Sequence, residues 1–284
     1  MGEIVLAAKI THVPTLQMSE QEGPIKGKRQ AAIDGHLEIA RRAKALGADT
    51  VVICDTHWLV NAGFHINANS RFKGLLTSSE FPQFIRDLPY DHQGNPELGS
   101  AIAEKATELG VYTLAHHLDS LDLEYGTLVP MHFMSREHDM KVVSVAAFCT
   151  VHDHDESRVI GEAIRAAVDA SDSKVLLLAS GSLSHKIWSN KEYAPNNGTF
   201  TISSEFNRQV DLMVLDMWKR GDHATFLKIL GDYANHCSGE GSMHDTAMLY
   251  GALGWDSYTE QCEIVTDYFP SSGTGQVNVI FPVP

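Results

Sequence analysis

The chain has 284 residues, 43% hydrophobic and 20% charged, with no low-complexity tract, which is room for one large α/β domain or two small ones. Its 22 Lys and Arg against 36 Asp and Glu give a net charge of −14, which disfavours nucleic acid and anionic membrane surfaces, since both need clustered cations. No apolar run approaches the ~18 residues of a membrane span, Glu3 stands where a secretory signal carries positive charge, and the four cysteines form no Cys-x-x-Cys pair, so a cytoplasmic protein with reduced thiols is expected.

The chain opens with a mostly apolar strand, Glu3 to Ile10, that stops at Thr11-His12-Val13-Pro14; Pro14 biases its predecessor away from helix, so His12 lies on a loop at a strand end. From Gln30 to Leu46, residues Ile33, Leu37, Ala40, Ala43 and Leu46 share a helical face, and Gly47 supplies the stop. Val51-Val52-Ile53-Cys54 reads as a short buried strand, cut off by Asp55-Thr56-His57. Ala62 to Ala68 looks like a half-exposed strand. Asn95-Pro96-Glu97 starts a helix running to Leu109. A strand follows over Val111 to Ala115, and His116 to Pro130 reads as a loop.

Lys141 to Phe148 is another buried strand, and His152-Asp153-His154-Asp155-Glu156 leads into a helix. Lys174 to Ser180, the most uniformly apolar strand, empties into Gly181-Ser182-Leu183-Ser184-His185. Beyond about residue 200 the pattern turns helical, with Phe206, Val210, Met213 and Met217 on one stripe, of which Met213 and Met217 are expected in the core. Two late strands, Cys262 to Tyr268 and Val277 to Phe281, flank a glycine-rich turn over Pro270 to Gly275. Strand–helix alternation to about residue 190 predicts a single α/β domain over 1–284, with a central mostly parallel sheet, helices on both faces, a mainly helical elaboration at about 200–255 and antiparallel edges from the last strands.

Three apolar strands thus end in a loop histidine: His12, His57 and His185. Ligands gather beyond the carboxyl ends of strands in open α/β sheets, so parallel neighbours would let these imidazoles converge. Two His and one carboxylate with open positions is the donor set of non-haem Fe(II) oxygen chemistry. Glu240, between Gly239 and Gly241, is the preferred carboxylate, and Asp55 competes for the role. His152-Asp153-His154 reads as the start of a helix, its acids serving the dipole. Ser182 and Ser184 beside His185 lack the Gly-x-Ser-x-Gly elbow of a hydrolase, and Ser271 to Gly275 lacks the Lys-[Ser/Thr] ending of a phosphate loop.

Taken together, these stretches resemble the LigB-type (class III) extradiol ring-cleavage dioxygenases. The likeness runs nearly end to end, through Ala7 to Pro14, Asp55-Thr56-His57-Trp58-Leu59-Val60-Asn61, Glu124 to Met131, Phe148 to Asp153, Ala179 to His185, Gly239 to Thr246 and Phe269 to Asn278. The resemblance implies that His12, His57 and Glu240 bind Fe(II), that His185 is the acid–base residue, and that the substrates are a small catechol and O2, handled by a homo-oligomer. One stretch departs from the family: Glu124-Tyr125-Gly126 stands where an Asp-His-Gly motif is common, so Tyr125 takes the place of a second catalytic His. A carboxylated catechol would need a cationic or amide partner, for which Lys9 and Arg29 are candidates. The same chemistry on 2-aminophenol or another catechol, a metal-dependent hydrolase and a non-catalytic metal-binding scaffold are the competing expectations.

Overall fold

A computed structural model describes residues 1–284. Strand β1 (Glu3–Ile10) leads through a short α1 (Thr15–Glu20) to α2 (Gln30–Ala45), followed by β2 (Thr50–Val60), β3 (Phe64–Asn67), the hairpin strands β4 (Arg71–Leu76) and β5 (Leu88–Gln93), α3 (Pro96–Glu108) and β6 (Thr113–His116). Helix α4 (Tyr125–Met134), β7 (Lys141–Cys149), α5 (His154–Ala170) and β8 (Lys174–Ser180) complete the alternating part. The remainder is α6 (Asn190–Tyr193), α7 (Glu205–Arg220), α8 (His223–His236), α9 (His244–Leu253), β9 (Glu263–Ser271) and β10 (Thr274–Phe281).

Eight strands form one sheet in the order β6-β3-β7-β2-β8-β1-β10-β9. Its centre, β7-β2-β8-β1, is parallel throughout, whereas β10 adds antiparallel to β1 and β9 antiparallel to β10. Side chains alternate across a strand, and here both faces are covered. Val52, Cys54, Leu177 and Ala179 pack toward Ile102, Ile160 and Met248 of α3, α5 and α9. Their neighbours Val51, Ile53, Leu176 and Leu178 pack toward Ile39 of α2 and Leu128 and Met131 of α4. Burial on both faces is why these strands read as unbroken apolar runs. Asp153 caps α5 reciprocally with Glu156, as its acidic start implied. The glycine-rich stretch is the two-residue turn between β9 and β10, with Ser272 at φ 55° and Gly273 at φ 97°. No helix is long and apolar enough to cross a membrane.

Three expectations need correcting. The loop expected to run to Pro130 becomes helix from Tyr125, although it carries Gly126 and Pro130. A Cβ on Gly126 would stand 2.2 Å from Asp55 Oδ1, so close packing against β2 explains the glycine. Strand β2 does not stop at Cys54 but continues to Val60, its register with β7 slipping between Asp55 and Leu59. In α7 Met217 is buried as expected but Met213 is 45% exposed, and Phe206 of the same stripe is 61% exposed, while Asn207, Asp211, Val214 and Trp218 face the core.

Candidate metal centre

Register brings the site residues to one edge. Ile10 of β1 and Asp55 of β2 both pair with Ser180 of β8, so the three strands finish level. Two residues further along, His12, His57 and Ser182 leave the common ladder. The loop between α8 and α9 returns to this edge: Gly239 bridges to Ser184, and the Glu240 amide donates to Leu183 O at 3.2 Å. Gly241, Ser242 and Met243 follow with φ of 54°, 55° and 63°. Ser242 and Met243 thus occupy the left-handed region that L-residues avoid, and His154 Nε2 holds the Ser242 carbonyl at 2.7 Å.

The structure brings His12, His57 and Glu240 together, with candidate donor atoms all within 4.8 Å of one another. Glu240 Oε1 lies 3.0 Å from His12 Nε2, 3.3 Å from His57 Nε2 and 3.0 Å from Thr56 Oγ1, and Oε2 accepts from the Ser182 amide. The tautomer of His12 follows from its neighbour. Ser180 Oγ donates its one proton to Gly126 O at 2.6 Å, so it must accept from His12 Nδ1 at 2.9 Å. His12 Nε2 is left with a lone pair to give. His57 Nε2 is buried and makes no hydrogen bond despite the carboxylate beside it. An orphaned nitrogen facing a carboxylate is a group that a cation would satisfy.

Charge at the centre agrees with that fit. Burial acts to raise the Glu240 carboxyl, but the charges of the neighbouring His12 and His185 imidazoles outweigh it and hold the group well below the usual carboxylate range. Burial acts to lower His57, and Glu240 outweighs it to leave the imidazole raised. A ligand set of one ionised carboxylate and two imidazoles, nearly closed off from water, suits a divalent transition metal. Asp55 is committed elsewhere, accepting from the His57 amide at 2.8 Å and Thr127 Oγ1 at 2.7 Å.

The three residues open onto a cavity of about 920 Å³ that His185 and Tyr125 also line. His185 Nε2 stands 4.0 Å from Glu240 Oε1, with about a third of its side chain exposed. The Tyr125 ring lies 3.7 Å from that of His57, centroid to centroid. Burial, then Glu240, Glu80 and Asp55, push the Tyr125 phenol far above its ordinary range, so it keeps its proton and can donate a hydrogen bond. His152 and His154 are not part of this centre; each holds a backbone carbonyl, of Gly63 and Ser242 respectively.

Lys9 does not reach the cavity. It is fully buried and bonds Asp245 Oδ2 at 2.7 Å. Strand alternation explains this, because β1 carries Lys9 inward toward α9. Lys9→Met should strand the Asp245 charge and cost about 3–5 kcal/mol, read as a lower denaturation midpoint; unchanged stability would mean that Asp245 finds another cation. Asp211 escaped the sequence reading. Its carboxylate accepts from Ser184 Oγ (2.7 Å), Tyr233 (2.7 Å) and Tyr268 (2.8 Å), and so braces the residue before His185. The available signal was an Asp in helical register with Val214 and Trp218.

The chain belongs to the LigB family: residues 6–282 match its model, described as the catalytic LigB subunit of aromatic ring-opening dioxygenase. Among curated relatives, 3,4-dihydroxyphenylacetate 2,3-dioxygenase of Escherichia coli is 50% identical over 258 residues, 91% of this chain and 93% of the relative. The 2-aminophenol 1,6-dioxygenase beta subunit of a Pseudomonas species is 23% identical, over 84% of this chain and 82% of its own. A crystal structure of an uncharacterized Escherichia coli K12 protein superposes with a TM-score of 0.61 at 13% identity, covering 98% of this chain and 99% of that one, a likeness of fold alone.

Proposed function

We propose that the protein is an Fe(II)-dependent extradiol dioxygenase that opens the ring of 3,4-dihydroxyphenylacetate with O2, giving 5-carboxymethyl-2-hydroxymuconate semialdehyde. The observation that carries this reading is the convergence of His12, His57 and Glu240 on one cavity, in a chain 50% identical to an enzyme named for that substrate. His12, His57 and Glu240 hold the iron. Bound there, Fe(II) supplies the Lewis-acid and redox capacity that lets a catechol react with O2.

The side chains do the rest. His185, whose Nε2 faces the centre, takes the proton that a catechol hydroxyl gives up and returns it during ring opening. Tyr125, held neutral, donates a hydrogen bond to oxygen without competing as a base. Thr56 and Ser182 keep Glu240 pointed at the two imidazoles. Both atoms of O2 enter the product, so no further reductant is needed. Four buried free thiols suit the reducing cytoplasm, where we place the enzyme as a homo-oligomer.

The test is O2 uptake by protein reconstituted anaerobically with Fe(II) and then given 3,4-dihydroxyphenylacetate. Stoichiometric uptake with a yellow product is expected; no uptake at full iron occupancy, with cleavage of 2-aminophenol instead, would reassign the substrate. Tyr125→Phe should lower kcat roughly tenfold, about 1.4 kcal/mol, with KM nearly unchanged. An unaltered kcat would leave His185 as the sole proton carrier.

A further inference from the structure

The acidic cavity wall conceals a cation. Arg29 is only 6% exposed, and it alone among the arginines has no carboxylate partner, every other one lying within 3.7 Å of an acid. Its guanidinium sits between the rings of Phe200 (5.0 Å) and Phe269 (4.8 Å). Nη2 donates to the carbonyls of Thr199 and Pro270, each at 2.9 Å. Nε donates to Thr15 Oγ1 at 3.1 Å, and that oxygen lies 3.1 Å from Ser271 Oγ.

Thr15 and Ser271 line the same cavity as His12 and Glu240, and no Lys or Arg lines it. We propose that the Thr15 and Ser271 hydroxyls, backed by the Arg29 guanidinium, form the subsite that receives the carboxylate of the aromatic substrate's side chain. This rests on the extradiol reading and deepens it by assigning the group that selects a carboxylated catechol.

The physical case has three parts. A buried cation without a counter-ion carries a desolvation cost that an arriving anion relieves; burial lowers Arg29 to about 10, which leaves it charged at neutral pH. Thr15 Oγ1 accepts from Arg29, so its own proton is free to point at Ser271 or into the cavity, and the guanidinium polarises that hydroxyl. Thr15 follows His12 by three residues, so their Cα atoms are at most about 11 Å apart, within the span of a phenylacetate ring and side chain. The same placement explains why an enzyme of this charge needs no cation exposed in its cavity. An uncharged substrate would gain nothing from it.

The experiment measures dissociation constants anaerobically, where no turnover occurs, on the Fe(II)-loaded protein with 3,4-dihydroxyphenylacetate and with 4-methylcatechol, which lacks the carboxylate. Arg29→Gln should weaken 3,4-dihydroxyphenylacetate at least about tenfold and leave 4-methylcatechol within about twofold. Thr15→Val, which removes the hydroxyl but keeps the guanidinium and its bonds to the Thr199 and Pro270 carbonyls, should show the same selectivity if Arg29→Gln fails to fold. Equal weakening of both ligands, or a wild type that does not prefer the carboxylated one, overturns the subsite. Turnover in air is recorded in parallel: a wild type that binds selectively but consumes no O2 with either catechol sinks the catalytic reading while the subsite stands.

Discussion

His185→Ala should bind Fe(II) and 3,4-dihydroxyphenylacetate with near wild-type affinity yet turn over about 10²–10⁴-fold more slowly. The prediction separates two jobs that share one cavity. His185 Nε2 lies 4.0 Å from Glu240 Oε1, farther from the carboxylate than His12 Nε2 at 3.0 Å, and stands outside the three-residue donor set. Its partly exposed ring can exchange protons with water between turnovers. Removing it takes away the base but leaves the donor set whole. The check is kcat and KM beside iron content and anaerobic substrate binding; a kcat within about threefold of wild type would remove His185 from the proton path.

Glu240→Ala has the opposite signature: the metal itself should be lost. Three donors become two, and the imidazoles lose the only carboxylate facing both of them. Thr56 and the Ser182 amide lose their acceptor as well. Iron affinity should fall at least about 100-fold, beyond what disturbing a ligand's hydrogen-bond partner costs, and activity should fall with occupancy. Glu240→Gln, which keeps the shape and an acceptor oxygen, should retain more iron than the alanine variant. Full occupancy in Glu240→Ala would send the assignment back to Asp55, despite the two hydrogen bonds that now engage it.

Much of this was legible in the sequence because the informative signals were local and strong. Glu3–Ile10 and Lys174–Ser180 were bounded correctly because uninterrupted apolar runs have few other uses. The strand-end histidines stood out because a buried parallel strand has no place for them. Glu240 was marked by its glycines, and the reason is visible: a Cβ on Gly239 would meet Met243, and one on Gly241 would meet Ala147 O at 2.9 Å.

What stayed hidden depended on tertiary partners. Helix α4 is buried on nearly every side, so it shows no amphipathic period, and Gly126 and Pro130 disguised it as loop. Asp211 reads as a solvated helix residue until Tyr233 and Tyr268, from two other elements, are seen to donate to it. Lys9 looked available to a substrate because its Asp245 partner lies 236 residues away. Met213 lies on an apolar helical stripe, and hydrophobicity alone does not forbid exposure.

The level ending of three strands has a consequence for how the protein comes into being. His12 and Glu240 are 228 residues apart in the chain and 3.0 Å apart in space, so no contiguous segment shorter than that holds the complete donor set. Contacts of such separation form only after long loops close. A nascent or partly unfolded chain therefore offers a metal ion an incomplete donor set without the carboxylate, and loading must follow folding. By mass action the loaded ion then stabilises the folded state alone, tying the persistence of the fold to the supply of metal.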